Sequence, residues 1–236
     1  MINLDRRFFL QGMSLSLLPI GAAVSAKENR NLFSTISINK EDVLLIIDVQ
    51  NDFLIKGSLE VPCGNDVIEP INHIIKNYSL VVATKDWHPS DHVSFASNHP
   101  GKKVGDVVKV DNLDQILWPD HCVQKSKGSD FPATLNAKTI KKIIFKGTNS
   151  QIDSYSGFHD NGKIHSTGLS DYLKVKNITS VDYVGLVTEY CIKFTVLDSI
   201  EEGFKTRVIL NGIKGINLPE SNKALNDMQS KGVELL

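Results

Sequence analysis

The stretch Val181-Asp182-Tyr183-Val184-Gly185-Leu186-Val187-Thr188-Glu189-Tyr190-Cys191 decides how the rest of the chain is read. Its first half is an apolar, β-branched and aromatic run of the length of a buried strand. From Glu189 the spacing becomes helical, with Ile192, Val196 and Ile200 on one stripe and Gly203 as a stop. A lone thiol falls just after the strand and in the first turn of the expected helix. Unpaired amide N–H groups and the positive end of the helix dipole stabilise a thiolate there, and the same groups can hold an oxyanion formed beside it. An isolated cysteine is more often a small buried apolar residue, so the case for a nucleophile rests on what surrounds it.

Outward from this unit the alternation repeats. Strands are expected at 43–47, 80–84, 142–145, 181–186 and 206–210, with a short last one at 233–235, and helices at 67–76, 168–174, 189–202 and 221–230. Short apolar runs alternating with helical stretches imply an α/β fold, a single three-layer αβα domain with a mostly parallel sheet of about six strands. With 236 residues the chain can bury a sizeable core without needing a second full domain. One segment, 87–140, carries Gly, Pro, His and Asp with little periodicity, and a connection of that length is usually functional.

Lysine and arginine total 26 against 27 acidic residues, so net charge points to neither a nucleic acid nor an anionic membrane as partner. At the N-terminus Arg6-Arg7 precedes a mildly apolar run, 13–24, and Val24-Ser25-Ala26 suits cleavage. This resembles a twin-arginine export signal and is too short for a comfortable membrane span. The expected organisation is a signal peptide over 1–26, a linker over 27–40 and one domain over 41–236. Periplasmic delivery by the twin-arginine machinery is expected, with no membrane anchor left after cleavage and a cytoplasmic location as the alternative. Three cysteines, Cys63, Cys122 and Cys191, are too few and too odd in number for a disulfide framework.

Ligands of open parallel sheets sit beyond the carboxyl ends of the strands. Asp48 follows the first strand, Asp86-Trp87-His88 the second, Lys146-Gly147 the third and Cys191 the fourth. Asp48 alone would be a loop-start capping carboxylate and Lys146 alone a surface lysine. Together with Cys191 they form a triad, with a carboxylate to take the thiol proton and a cation to lower the pKa of one or both partners. Asp86 and His88 stand on alternate positions of an extended segment, and His121 can supply a third donor from the long segment. His92 is a possible extra ligand. Mixed oxygen and nitrogen ligation suits one divalent ion, whether zinc, iron or manganese. His73, His99, His159 and His165 have no such partner pattern.

Six ordered motifs carry a family resemblance: the segments 47–53, 83–89, 117–123, 145–147, 153–158 and 185–191. On them the chain resembles a nicotinamidase, also called pyrazinamidase, of the isochorismatase-like cysteine hydrolases. The resemblance implies hydrolysis of nicotinamide to nicotinate and ammonia, with pyrazinamide as a further substrate, feeding NAD salvage. It implies that Asp48, Lys146 and Cys191 are catalytic, that Asp86, His88 and His121 hold a metal receiving the pyridine nitrogen, and that Phe53 and Trp118 wall the ring pocket. It also implies a cis peptide before Val187, whose N–H joins that of Cys191 in an oxyanion hole. An amidase of the same superfamily acting on another carboxamide or ureido compound, and an exported protein that binds metal or nicotinamide without turnover, are the rival readings. A homo-oligomer is open.

Overall fold

The computed structural model describes residues 38–236. The signal peptide expected over 1–26 and nearly all of the linker expected over 27–40 lie outside the described residues. The strands are β1 (Asp42–Ile47), β2 (Leu80–Asp86), β3 (Val107–Val110), β4 (Leu113–Ile116), β5 (Lys142–Lys146), β6 (Ser180–Leu186), β7 (Lys205–Lys214) and β8 (Glu234–Leu235). Six of them form one parallel sheet in the order β5-β2-β1-β6-β7-β8. The helices are α1 (Ile68–Ile74), α2 (Leu169–Val175), α3 (Lys193–Glu201) and α4 (Leu218–Ser230).

β1 is buried along its whole length because it sits between β2 and β6. Side chains alternate across a strand. Val43, Leu45 and Ile47 meet Leu169 and Leu173 of α2, Val196 of α3 and Met228 of α4 in one core. Leu44 and Ile46 are also fully buried outside that cluster, as are Ile71 and Ile74 of α1, which packs against β7. From β1 the chain builds outward through β2 and β5 on one side, and through β6, β7 and β8 on the other. The sheet therefore has its topological switch between β1 and β6, where such folds open a crevice at the carboxyl ends.

That junction is close. Gly185 has φ +118°, and a Cβ on it would stand 2.0 Å from the Ile47 carbonyl oxygen. At the other end of the same strands, Arg207 of β7 bonds both oxygens of Asp182 and reaches Asp42 Oδ2 at 2.9 Å. This buried network ties β1, β6 and β7 together.

Several elements differ from the sequence-based expectation. β2 and β5 extend to Asp86 and Lys146, which makes these two residues register partners instead of loop residues. α4 starts at Leu218 because Asn217 caps it, accepting the Glu220 N–H at 3.1 Å, with Pro219 in the first turn. The helix expected over 67–76 is α only for Ile68–Ile74, flanked by 3-10 turns. The long segment 87–140 contains the β3–β4 hairpin, closed by Asp111 and Asn112, both left-handed (φ 46° and 66°). That pair is a mirror-type two-residue turn, and Asp-Asn between two short apolar runs was its signal.

Candidate active site

Cys191 does not sit in a regular first α-turn. Thr188–Ile192 form a π-turn, in which the Ile192 N–H reaches back to the Val187 carbonyl at 3.1 Å before α3 begins. The wider turn follows a cis peptide bond between Leu186 and Val187. Glu189 anchors it from the outside, accepting the Ile216 and Asn217 N–H groups at 2.9 and 2.8 Å and the Ser221 hydroxyl at 2.9 Å.

The structure brings Asp48, Lys146 and Cys191 together. Lys146 is fully buried; its Nζ lies 2.9 Å from Asp48 Oδ2 and donates to Cys191 Sγ at 3.4 Å and to the Ser154 carbonyl at 3.0 Å. It also bonds Asp86, its register partner. Asp48 takes up a left-handed backbone (φ 47°) on leaving β1, which an aspartate tolerates. Thr84 fixes it, accepting the Asp48 N–H at 3.1 Å and donating to Oδ1 at 2.6 Å. Asp48 Oδ2 pairs with the Lys146 ammonium, and a carboxylate oxygen of Asp48 lies within 4.8 Å of Cys191 Sγ.

Burial shapes the protonation states. It pushes the Asp48 carboxyl up to about 6 against the pull of Lys146. Burial alone would lower Lys146, but Asp48 and Asp86 outweigh it and hold the ammonium well above its usual range. Burial pushes the Cys191 thiol well above its ordinary value, with Lys146 pulling down and both carboxylates pushing up. Desolvation thus works against the thiolate expected at the helix start, and Asp48 stands beside the thiol as the group to take its proton.

Next to the thiol lies a donor cluster. Ligand atoms of Asp86, His88 and His121 all lie within 4.8 Å of one another and are buried. His88 Nε2 is 3.7 Å from Asp86 Oδ1, and His121 Nε2 is 3.8 Å from Asp86 Oδ2. Both rings turn Nδ1 onto a backbone carbonyl, His88 to Gly147 at 3.0 Å and His121 to Pro119 at 2.8 Å. A carbonyl only accepts, so each Nδ1 donates its proton to it and each Nε2 is turned toward the cluster. Burial, and then the charge of His88, lowers His121 to about 4, whereas Asp86 outweighs burial and raises His88; an ion in the cluster would require both rings neutral. These donors fit a divalent cation.

Their supports are specific. Gly147 (φ +62°) approaches His88 so closely that a Cβ would meet the ring at 2.3 Å. Gln50 clamps the Asp86 backbone from both sides, at 2.8 Å each way. Asp52 accepts the Cys122 N–H at 2.7 Å and so folds the His121 loop back. His92 is fully buried with its ring 4.2 Å from that of His88 and its Nε2 unpartnered.

Phe53, Trp118, Asp86, His88, His121, Val187 and Cys191 line one pocket. Phe53 stands edge-on to His121, and Trp118 edge-on to Tyr190 with its Nε1 donating to the Tyr155 hydroxyl at 3.2 Å. The sequence reading did not single out Leu59, Asp153, Tyr155 or Ile216 as pocket residues, nor Thr84 and Gln50 as supports. Gln50 stands two residues after Asp48 and Thr84 two before Asp86, a spacing of 2 that was the available signal. His73, His99, His159 and His165 stay out of the pocket.

A buried thiol, carboxylate and lysine at the switch point of a parallel sheet, beside a metal-binding cluster, define a cysteine hydrolase of the αβα type. The isochorismatase domain matches residues 42–160 and 153–236. The nicotinamidase of Escherichia coli (strain K12) is 41% identical over 198 residues, covering 81% of this chain and 92% of that protein. Among solved structures, a nicotinamidase/pyrazinamidase of Acinetobacter baumanii superposes with a TM-score of 0.82 at 40% identity, over 85% of this chain and 97% of that one. The pyrazinamidase of Pyrococcus horikoshii, solved in complex with zinc, gives a TM-score of 0.68 at 32% identity, over 83% and 98%. The chain belongs to the isochorismatase domain family, in its nicotinamidase branch.

Proposed function

We propose that this chain hydrolyses nicotinamide to nicotinate and ammonia, with pyrazinamide as a second substrate, and so supplies NAD salvage. The observation that carries the reading is one pocket lined by Cys191 together with Asp86, His88 and His121, in a chain related to nicotinamidases along most of its length. When bound, a divalent ion held by Asp86, His88 and His121, with His92 as a possible further ligand, supplies a Lewis-acid position for a ring nitrogen. Zinc, iron and manganese all suit those donors.

The protein's own groups perform the chemistry. Asp48 takes the Cys191 proton as the sulfur bonds to the carboxamide carbon, and the carbonyl electrons move onto oxygen. The N–H groups of Val187 and Cys191 stabilise that oxyanion. Asp48 then protonates the amide nitrogen, the C–N bond breaks and ammonia leaves a thioester. A water gives a proton to Asp48 while its oxygen adds to the acyl carbon. The C–S bond breaks, Asp48 returns the proton to sulfur, and the acid departs, giving its carboxyl proton to water or to the released ammonia as nicotinate. Lys146 keeps its charge throughout, offsetting Asp48 and the transient thiolate. Phe53 and Trp118 hold the ring in a reactive pose.

Twin-arginine delivery to the periplasm is a separate part of the proposal, supported by Arg6-Arg7 ahead of the apolar run. The test of function is a product assay on metal-loaded protein: ammonia and nicotinate should appear in equal amounts over many turnovers. Binding of nicotinamide without either product would sink the enzymatic reading.

A further inference from the structure

The proposed chemistry leaves one pocket carboxylate without a task. Asp153 is 4% exposed and lines the pocket with Cys191, His88, His121 and Tyr155. One oxygen accepts its neighbour's N–H, from Ser154 at 2.7 Å, and the other accepts the Gln115 amide at 3.1 Å. Both donors are neutral. Asp48 and Asp86 share Lys146 as a counter-ion, whereas Asp153 forms no ion pair with a lysine or arginine among the described residues. Ring nitrogens of His88 and His92 lie within 4.8 Å of a carboxylate oxygen of Asp153, which puts its charge on the donor-cluster side of the pocket.

Under the proposed function the substrate is a neutral amide and the product an anionic carboxylate on the same ring. The two have nearly the same shape, so packing against Phe53 and Trp118 cannot tell them apart, but a fixed negative charge can. We infer that Asp153 is a specificity-determining residue that disfavours the anionic acid relative to the neutral amide and so promotes product release; this rests on the nicotinamide reading. Removing one unit charge from the pocket wall, at an effective dielectric of about 20, is expected to alter the relative affinity by about tenfold or more.

The test is binding of nicotinamide and of nicotinate, by calorimetry, to metal-loaded Cys191→Ala protein and to the same protein carrying Asp153→Asn. The ratio of the two affinities should move more than about tenfold toward nicotinate. Gln115→Ala removes the hydrogen bond but keeps the charge, and should weaken or leave both ligands alike. An unchanged ratio in the Asp153 variant, or the same shift in the Gln115 variant, would overturn the inference. If Asp153→Asn does not fold, the protein without that change still decides: nicotinate binding as tightly as nicotinamide would overturn it too. Turnover by the unaltered chain is measured separately. Absent ammonia release would fail the functional reading, while the binding ratio judges Asp153 by itself.

Discussion

Burial at Cys191 favours a neutral thiol, and Asp48 is the group positioned to remove its proton. Cys191→Ala replaces the thiol with a methyl group in a site that stays packed, so fold and metal content should persist while turnover drops by about 10³-fold or more. Residual deamidation within tenfold of the unaltered protein would rule out the covalent route; Cys63→Ala, at an exposed cysteine outside the pocket lining, is the control. Asp48 must be ionised to accept the proton, and its carboxyl is pushed up to about 6 by burial. Lowering the pH through about 6 protonates it, so kcat/KM should fall on the acid side with an inflection near that value and hold level above it. A pH profile of metal-loaded protein checks this; an inflection in the ordinary carboxylate range near 4 would argue against Asp48 as the base.

Strand contacts decide where those groups meet. Gly185 lets β6 pass against β1 at the switch point, and its Cβ would meet the Ile47 carbonyl at 2.0 Å on a backbone of φ +118°. Gly185→Ala should destabilise the fold by about 3 kcal/mol or more, because neither strand can yield without breaking the sheet. Thermal unfolding measures the loss, and an unchanged midpoint would contradict the close packing. At the opposite end of the strands, Arg207→Met removes the only cation from the Asp42–Asp182 network among the described residues and leaves two buried carboxylates uncompensated. A loss of about 3–5 kcal/mol is expected in denaturant unfolding.

On the scale of the whole molecule, the donor cluster and the proposed export signal accompany a cysteine site that is already complete in outline. If the cluster's role is to receive a ring nitrogen, benzamide should show a kcat/KM about a hundredfold or more below nicotinamide, since a site built for a polar partner rejects an analogue without one. Chelation, or His88→Ala, should remove most of the nicotinamide activity and most of that discrimination together. Equal kcat/KM for the two amides on metal-loaded protein would contradict the assigned role. For export, changing Arg6 and Arg7 to lysine should retain uncleaved, active protein in the cytoplasm, because lysine lacks the guanidinium geometry. Fractionation with N-terminal mass determination would show it, and undiminished periplasmic delivery would reject the signal.

The amino-acid sequence by itself determined the α/β class, the six strands of the main sheet and the candidates Asp48, Lys146, Cys191, Asp86, His88 and His121. These were legible because hydrophobic period and strand ends are local properties, and ligands of parallel sheets collect at one known edge. The hairpin at Asp111-Asn112 and the capped start of α4 also left local signals, in a turn dipeptide and an Asn-Leu-Pro-Glu run. Only the tertiary structure decided the strand order, and with it the switch between β1 and β6 that puts Asp48 beside Cys191. It also decided that Lys146 faces Asp86 in register, that Asp153, Tyr155 and Ile216 enter the pocket wall, and that the thiol is desolvated. Each of these depends on which distant segments exclude water from a group and from one another. Burial and register are set by contacts between residues far apart in the chain, and no local pattern encodes them.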